Sequence, residues 1–175
     1  MDHIEHKLTN CEIIFFNNLS AYIDTYMYFY GSICRGDYLQ GYSDIDVAIF
    51  TDNENSTITK IITFLSLHKS EVKKIIYSAD NTNKSHVLIK GYKLMYKNSE
   101  KRLVVEISVY NNKYKEYVLY ENARKIELPI YIICILCILK ILYYRLNIIS
   151  EKTYKQYKRN ILNVVIKNNN MFLVI

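Results

Sequence analysis

Residues 30–50 of the chain read YGSICRGDYLQGYSDIDVAIF. Asp44 and Asp46 stand two residues apart at the start of an apolar run that continues over residues 47–50. Because side chains at positions i and i+2 of a β-strand point to the same face of the sheet, the two carboxylates are predicted to lie side by side. Their like charges repel each other unless a cation lies between them. The pair therefore predicts a site for a divalent metal that prefers oxygen ligands, most simply Mg2+.

The first half of the same stretch predicts a phosphate-binding turn. Gly31 and Ser32 follow an apolar segment at residues 26–30 and open a polar loop. Glycine allows the backbone to approach a ligand closely, and the amides of such a turn, together with the Ser32 hydroxyl, are donors suited to phosphate oxygens. Since Mg2+ sites in proteins are usually completed by substrate phosphates, the whole stretch is typical of an enzyme that uses nucleoside triphosphates.

The pattern G-S-x-x-R-G, six intervening residues, and then S-D-I-D before an apolar strand resembles the polymerase-β-like nucleotidyltransferase superfamily. Within it, the motif is most similar to the minimal and the antibiotic-modifying nucleotidyltransferases. The matching residues are Gly31, Ser32, Arg35, Gly36, Ser43, Asp44 and Asp46. The resemblance implies that the chain moves a nucleoside monophosphate, AMP from ATP being the first expectation, onto an acceptor hydroxyl and releases pyrophosphate. It also implies that Asp44 and Asp46 hold two Mg2+ ions, or Mn2+ in their place.

The superfamily carries a third acidic residue on a later strand, and Glu106 is the candidate for it. Glu106 stands in the apolar β-type run LVVEISVY. A buried carboxylate without a partner is costly, so its side chain is expected to face water, a cation or a proton that it transfers. The resemblance gives Glu106 the roles of metal ligand and proton acceptor. Many relatives have Asp at this place, which leaves its role as direct ligand or base open, and an edge-strand Glu facing solvent is the alternative.

Arg35, Ser43 and Lys140 complete the predicted nucleotide site. For Arg35, orientation of the triphosphate and a salt bridge to Asp37 or to a catalytic carboxylate both remain open. Relatives often place a basic residue on a helix behind the site, where it reaches the triphosphate, and Lys140 interrupts an apolar helical run in a way that fits this role. The alternative is a lysine at the helix margin that extends its ammonium group to water.

Length and composition indicate one globular domain, over residues 1–175. We expect a catalytic α/β part over residues 1–125 and C-terminal helices packed on it over residues 126–167. Half of the residues are apolar, with only 4 Gly and 1 Pro, which argues against disorder. The net charge of +6 fits a polyanionic ligand such as a nucleotide or RNA, but a lysine-rich solvated surface explains it equally well.

The hydrophobic periodicity predicts a mixed sheet of the nucleotidyltransferase type flanked by helices, an α/β (α+β) fold. Predicted helices cover residues 3–23, 56–68 (capped by Asn55 or Ser56), 111–124, 128–145 and 150–167 (capped by Ser150). Predicted strands cover residues 25–30, 44–51, 86–96 and 102–110, the last two forming a hairpin. Residues 71–78 fit either a helix or a strand, and residues 81–84 are predicted to form a loop.

The apolar segment 128–139 is shorter than the roughly twenty residues of a membrane span. It is therefore predicted to form a buried helix across the sheet, with Pro129 in its first turn; a membrane or interfacial role is the alternative. The four cysteines, including Cys134 and Cys137, have no zinc-site spacing and are read as small apolar residues. The N-terminus does not resemble a secretory signal, so a cytoplasmic location is expected.

The acceptor is not determined by the resemblance, because a fold does not specify a substrate. A protein side chain, as in minimal nucleotidyltransferases that modify a toxin partner, a small molecule such as an aminoglycoside, and an RNA end all remain open. Two other classes of function are also open: a non-catalytic nucleotide- or partner-binding module on the same fold, and a minimal viral-type DNA or RNA polymerase or terminal transferase. The sequence shows no dedicated DNA-binding module such as a helix-hairpin-helix, which disfavours template-directed synthesis.

Overall fold

The computed structural model describes residues 4–80, 86–100, 102–166 and 173–174. The helices are α1 (Asn10–Ile23), α2 (Glu54–Leu65), α3 (Lys115–Ile126), α4 (Ile130–Lys140) and α5 (Glu151–Ile166). The strands are β1 (Met27–Tyr30), β2 (Ile45–Thr51), β3 (Lys73–Asp80), β4 (His86–Asn98), β5 (Leu103–Asn111) and β6 (Leu173–Val174). The predicted loop at 81–84 lies outside the described residues.

The strands of the described residues form one mixed sheet in the order β1-β2-β5-β4-β3-β6. β2 and β5 run parallel, and the remaining neighbours run antiparallel, including the predicted β4–β5 hairpin. A parallel pair needs a long crossover connection, which here is supplied by α2, β3 and β4. This arrangement confirms the predicted mixed α/β fold.

β2 has both of its faces covered. Ile45, Val47 and Ile49 are buried in one core with residues of α1 and α2, as the alternation predicted. Ala48 and Phe50 point to the other face and pack in a second core with residues of β3 and α3. A strand covered on both faces has a nearly continuous apolar sequence. In β2 this pattern is interrupted near its start, by Asp46.

α1 begins later than predicted, because a capping box fixes its start. The Thr9 hydroxyl accepts a hydrogen bond from the Glu12 amide, and the Glu12 carboxylate accepts one from the Thr9 amide. The residues before it form a short 3-10 turn, Glu5–Lys7. The apolar periodicity of the sequence predicts a buried stripe of Leu8, Cys11, Ile14, Phe15, Leu19 and Tyr22. This prediction was partly wrong, because Cys11, Ile14 and Tyr22 are exposed. The buried positions of the helix are Glu12, Phe16, Leu19 and Ile23.

Other boundaries also depend on capping. The Asn53 side chain, rather than Asn55 or Ser56, accepts a hydrogen bond from the Ser56 amide, so α2 starts at Glu54. Ser150 caps α5 as predicted, through the amide of Thr153. Residues 71–78, left open by the sequence, fall mainly in β3.

The helix predicted to be buried across the sheet is only half covered. The buried face of α4 holds Ile132 and Leu136, which cluster with Leu128 and pack against Ile161 and Leu162 of α5. Its opposite face is exposed, so the prediction of a fully buried helix was wrong. The helix continues as a single π-helical segment, Ile141–Arg145. Among the described residues, no helix alone has the length and apolar content of a membrane span, although the segments 112–126 and 130–145, bent by 83° relative to each other, meet those criteria as a pair.

A buried ion cluster joins α4 to the loop that precedes β2. Asp37 accepts hydrogen bonds from Arg35 Nε at 2.7 Å and Nη2 at 3.2 Å, and its Oδ2 lies 3.2 Å from Lys140 Nζ. Lys140 Nζ also donates to the Asp37 carbonyl at 2.6 Å and to Ser43 Oγ at 2.9 Å. All four side chains are buried. Burial alone would raise the pKa of Asp37, but Arg35 and Lys140 hold it below its usual value.

We expect Asp37→Ala to lower the free energy of unfolding by about 3–5 kcal/mol, because two cations would remain buried without their counter-ion. In the wild type, the contribution of Asp37 is present above the usual carboxyl pKa and is lost as the pH falls through the lowered pKa of the folded state. Chemical denaturation at neutral pH measures the difference. The matched control is Glu151→Gln, which breaks the exposed Lys155–Glu151 pair and should leave the midpoint nearly unchanged. Equal losses of unfolding free energy in the two variants would contradict the role of Asp37 as the buried counter-ion of Arg35 and Lys140.

Candidate active site

The parallel pairing of β2 and β5 places two of the predicted acids next to each other. Asp46 is the register partner of Glu106, and residues opposite each other on neighbouring strands project to the same face. Asp44 stands immediately before β2. Burial raises the pKa of Asp46 well above its usual value, and the negative charges of Asp44 and then Glu106 raise it further. The fold therefore concentrates three carboxylates at one end of the parallel pair.

Glu106 already has a cationic partner. Lys93 of β4 lies 2.7 Å from Glu106 Oε1 in a partly exposed ion pair. Within the described ranges, no three side chains of His, Cys, Asp or Glu are placed to hold one metal ion together. The donor set still fits Mg2+ chemically, because Asp44, Asp46 and Glu106 offer only hard oxygen ligands. Burial raises the pKa of Asp46, and the negative charges of Asp44 and Glu106 raise it further. Asp44 and Asp46 are the residues that would hold the ion.

A glycine is required at position 31 because the backbone there lies against Asp46. Its φ is +72°, and a Cβ atom at this position would lie 2.0 Å from Asp46 Oδ2. The neighbouring Ser32 is 2% exposed, and its hydroxyl has no hydrogen-bond partner among the described residues. A buried hydroxyl without a partner is unusual, and a phosphate oxygen would satisfy it. The structure thus brings the predicted phosphate turn directly beside the predicted metal-binding acids.

The other three residues of the predicted nucleotide site have partners within the fold. Arg35 forms the salt bridge to Asp37 that was one of the two open alternatives. Ser43 Oγ accepts hydrogen bonds from Lys140 and from the Leu39 amide. Lys140 is buried rather than at the helix margin, and a contact between its ammonium group and the triphosphate stays a prediction. As placed, these side chains position the loop before Asp44.

Sequence reasoning missed the lysines that surround the acids. Lys93 on β4 and Lys158 on α5 both lower the pKa of Asp46 through their charges. Lys125, at the end of α3, has its pKa lowered mainly by burial and also interacts with the charge of Asp46. In a chain with 23 Lys and Arg residues, no local signal distinguishes these three. Only the sheet register and helix packing bring them to the site.

Four tyrosines form a cluster beside the aspartates, which we call the tyrosine cluster: Tyr42, Tyr143, Tyr144 and Tyr154. Tyr143 stacks on Tyr154 at 4.6 Å between ring centroids, and Tyr42 contacts Tyr144 at 5.9 Å. Burial and then the charge of Asp44 raise the pKa of Tyr144 to about 12. Two members sit on the π-helical segment, a backbone form that is frequent at functional sites. The cluster therefore places aromatic rings beside the acidic site.

Comparison with known proteins identifies a family over most of the chain. The family model for the nucleotidyltransferase domain matches residues 15–131, a range that contains every predicted acidic residue. None of the curated proteins matches the chain. Among solved structures, a chain in the structure of the GLD-2/RNP-8 complex is similar with a TM-score of 0.40 and 14% sequence identity. The match covers 91% of this chain and 59% of that chain, so the present chain spans less than two thirds of that protein's length.

We expect Gly31→Ala to be more destabilising than Gly41→Ala, which serves as its control. Both glycines have positive φ, but a Cβ on Gly41 would meet nothing within 4 Å, whereas one on Gly31 would overlap the Asp46 carboxylate. Backbone strain alone should lower the free energy of unfolding by about 1–2 kcal/mol in each variant. The displacement of Asp46 should add to this only in Gly31→Ala. Equal losses in urea denaturation would show that the turn and the acid do not touch.

Asp46→Asn is expected to stabilise the fold by about 0.5–2 kcal/mol, as removal of strained active-site charges often does. Because the pKa of Asp46 is raised in the folded state, the wild type should lose stability as the pH rises from the usual carboxyl pKa through the raised value. The variant should lack this part of the pH dependence. Thermal denaturation at several pH values measures it, and a variant less stable than the wild type at neutral pH would contradict the electrostatic assignment.

Proposed function

Because the chain belongs to the nucleotidyltransferase domain family, we propose that it is an enzyme that transfers a nucleoside monophosphate from a nucleoside triphosphate to an acceptor hydroxyl and releases pyrophosphate. The observation that carries this proposal is the contact of the Gly31 turn with Asp46, beside Asp44 and Glu106. A phosphate-binding turn and paired carboxylates are the two parts that such a transfer needs, because catalysis of phosphoryl transfer consists mostly of positioning and charge neutralisation.

Asp44 and Asp46 are proposed to hold Mg2+, which supplies charge stabilisation at the reacting phosphoryl group. The Ser32 hydroxyl and the backbone amides of the turn donate to the terminal phosphates. Glu106 stands beside Asp46, is partly exposed, and accepts the proton of the acceptor hydroxyl once its ion pair with Lys93 opens. Lys158 draws the polyanionic nucleotide toward the acids.

ATP is the proposed nucleotide. The tyrosine cluster offers aromatic faces next to Asp44, and Tyr42 is 41% exposed. Stacking of a base on an aromatic side chain contributes about 1–3 kcal/mol, and every base can stack because every base has a π-face. A purine stacked there would place its triphosphate toward Ser32 and the aspartates.

The charges around the site affect which class of acceptor it can attract. Lys93, Lys125 and Lys158 come from three different elements, and the positive charge of each interacts with Asp46. Such a surface attracts anions and repels polycations. We therefore favour an RNA end or a protein hydroxyl, including that of a toxin-like partner, over a polycationic aminoglycoside.

A second candidate, a non-catalytic nucleotide-binding module, is favoured by one observation. Glu106 is paired with Lys93, and no set of three metal-ligating side chains is assembled in the described part of the chain. If this pair persists when nucleotide binds, the site would bind a nucleotide without turning it over.

The two candidates are separated by pyrophosphate release from each of the four nucleoside triphosphates, with and without Mg2+. Asp44→Asn and Asp46→Asn should abolish release while the protein remains folded by circular dichroism. Incubation of a cell extract with labelled ATP and the protein, followed by mass spectrometry, would identify the molecule that gains a nucleotide. Nucleotide binding without pyrophosphate release in any extract would support the non-catalytic module, and retained turnover in Asp46→Asn would refute the proposed roles.

Ser32→Ala is expected to weaken ATP binding about tenfold or more, because a hydrogen bond to a charged phosphate is lost. Its free energy of unfolding should not fall, since the buried hydroxyl has no partner in the fold. Thr57→Val is the control: it removes a buried hydroxyl on α2 that donates to the Thr51 hydroxyl at the end of β2. The control should cost about 1 kcal/mol of stability and leave ATP affinity unchanged. A destabilised Ser32→Ala with normal ATP affinity would exclude the phosphate role.

A further inference from the structure

α4 is apolar all round, yet only one of its faces is covered. No charged residue occurs from Leu128 to Leu139. Its buried face, Ile132, Leu136 and Leu139, is held by the rest of the chain. A helix that is hydrophobic on every side is normally buried on every side. Among the residues that the structure describes, nothing covers the other face, so it is a candidate surface for a second molecule.

The uncovered face is a continuous stripe. At about 100° per residue, one side of the helix collects the exposed positions, which are Ile130, Tyr131, Cys134, Ile135 and Ile138. The first π-helical residue, Ile141, extends this stripe toward the C-terminal end of the helix. The exposed fractions of the aliphatic and aromatic members run from 38% to 79%. We call this set the α4 stripe; its spacing of three and four residues is that of a helix–helix contact.

The stripe is self-complementary in an antiparallel pairing. A two-fold axis near residue 136 places Tyr131 opposite Ile141 of a second copy and Cys134 opposite Ile138. The same axis brings Glu127, which is exposed just before α4, to the end of the partner helix that carries the exposed Arg145. Opposite charges thus meet at both ends of an uncharged centre, and the two helix dipoles run antiparallel.

The size of the stripe also fits a second copy. Covering these six side chains and the flanking exposed Leu146 and Ile148 would bury on the order of 600–800 Å2 per subunit, close to the ~800 Å2 per partner of a standard interface. Two-fold symmetric dimers are the commonest assemblies of soluble proteins. A membrane surface fits less well, because the acidic Glu127 lies at one end of the stripe and anionic lipids favour basic flanks.

We propose that the chain forms a two-fold symmetric homodimer in which the α4 stripes of two copies pack antiparallel. Each copy places its Ile138 against Cys134 of the other, and Glu127 of each lies near Arg145 of the other. The interface is independent of nucleotide and leaves the buried face of α4 on its own α5.

The first experiment measures mass by sedimentation equilibrium over a wide range of micromolar concentrations. The wild type should be dimeric, and Ile138→Asp should raise the dimer dissociation constant about 100-fold or more, because a charge enters the apolar centre. Val164→Asp is the matched control, since Val164 is 80% exposed on α5 and lies outside the stripe. Both variants should keep the wild-type circular dichroism spectrum at room temperature, which separates loss of the interface from loss of the fold, whereas the melting temperature of a dimer also depends on its association.

The second experiment tests the register. Ile138→Cys should form an interchain disulfide with Cys134 under mild oxidation, and the additional change Cys134→Ser should remove it. Glu127→Lys should weaken the dimer about 5-fold, and Glu127→Lys combined with Arg145→Glu should restore it. A parallel dimer would place Glu127 beside Glu127 and would not show this rescue.

A monomer at all concentrations overturns the proposal, as does a dimer that Ile138→Asp does not weaken. A monomeric chain that floats with anionic vesicles would assign the stripe to a membrane surface instead. A monomer that acquires a stoichiometric heterologous partner through the same residues would assign the stripe to another protein. Failure of any of these tests leaves pyrophosphate release unaffected, so the dimer and the proposed activity stand or fall separately.

Discussion

The parallel pairing of β2 with β5 is the constraint on which the site depends. It places Asp46 beside Glu106 even though the two residues are far apart in the chain. The neighbouring antiparallel strand β1 ends at Tyr30, opposite Asp46, so that the turn at Gly31 begins against the same carboxylate. A shift of one residue in either register would turn these side chains to the opposite face of the sheet. Such a shift would turn Asp46 into the core that holds Ile45 and Val47, where a carboxylate without a partner is costly.

This arrangement concentrates negative charge at one end of the sheet, which opposes folding. Burial and the neighbouring carboxylates raise the pKa of Asp46, while Lys93 and Lys158 offset part of the repulsion from outside the strand. Ser32 adds a buried hydroxyl that the fold leaves without a partner. Unfavourable electrostatics and unmet hydrogen bonds of this kind persist where binding, rather than folding, determines the residue. They distinguish this end of the sheet from the apolar remainder of the core.

α4 contacts the loop that precedes the site, and it also carries the exposed α4 stripe. At its C-terminal end, Lys140 anchors the loop before Asp44 through Asp37 and Ser43, in a cluster where every charge is paired. On its outer side, the α4 stripe presents apolar residues to solvent. A helix can serve both purposes because side chains 100° apart on its wheel face different surroundings. Lys140 thus attaches this loop to the helix that carries the stripe, and its predicted contact with phosphate stays a prediction.

Much of the arrangement of the candidate site follows from the sequence alone. The spacing of Gly31, Ser32, Asp44 and Asp46 identifies the turn and the acids, and the apolar setting of Glu106 identifies the third carboxylate, because strand alternation is a local rule. The partners of Arg35 and Lys140 were beyond such a rule, since they depend on which loop lies against α4. The same is true of Lys93 beside Glu106 and of the uncovered face of α4. Local spacing specifies which side chains share a face, whereas long-range packing decides which charges meet and which apolar surfaces are left for another molecule.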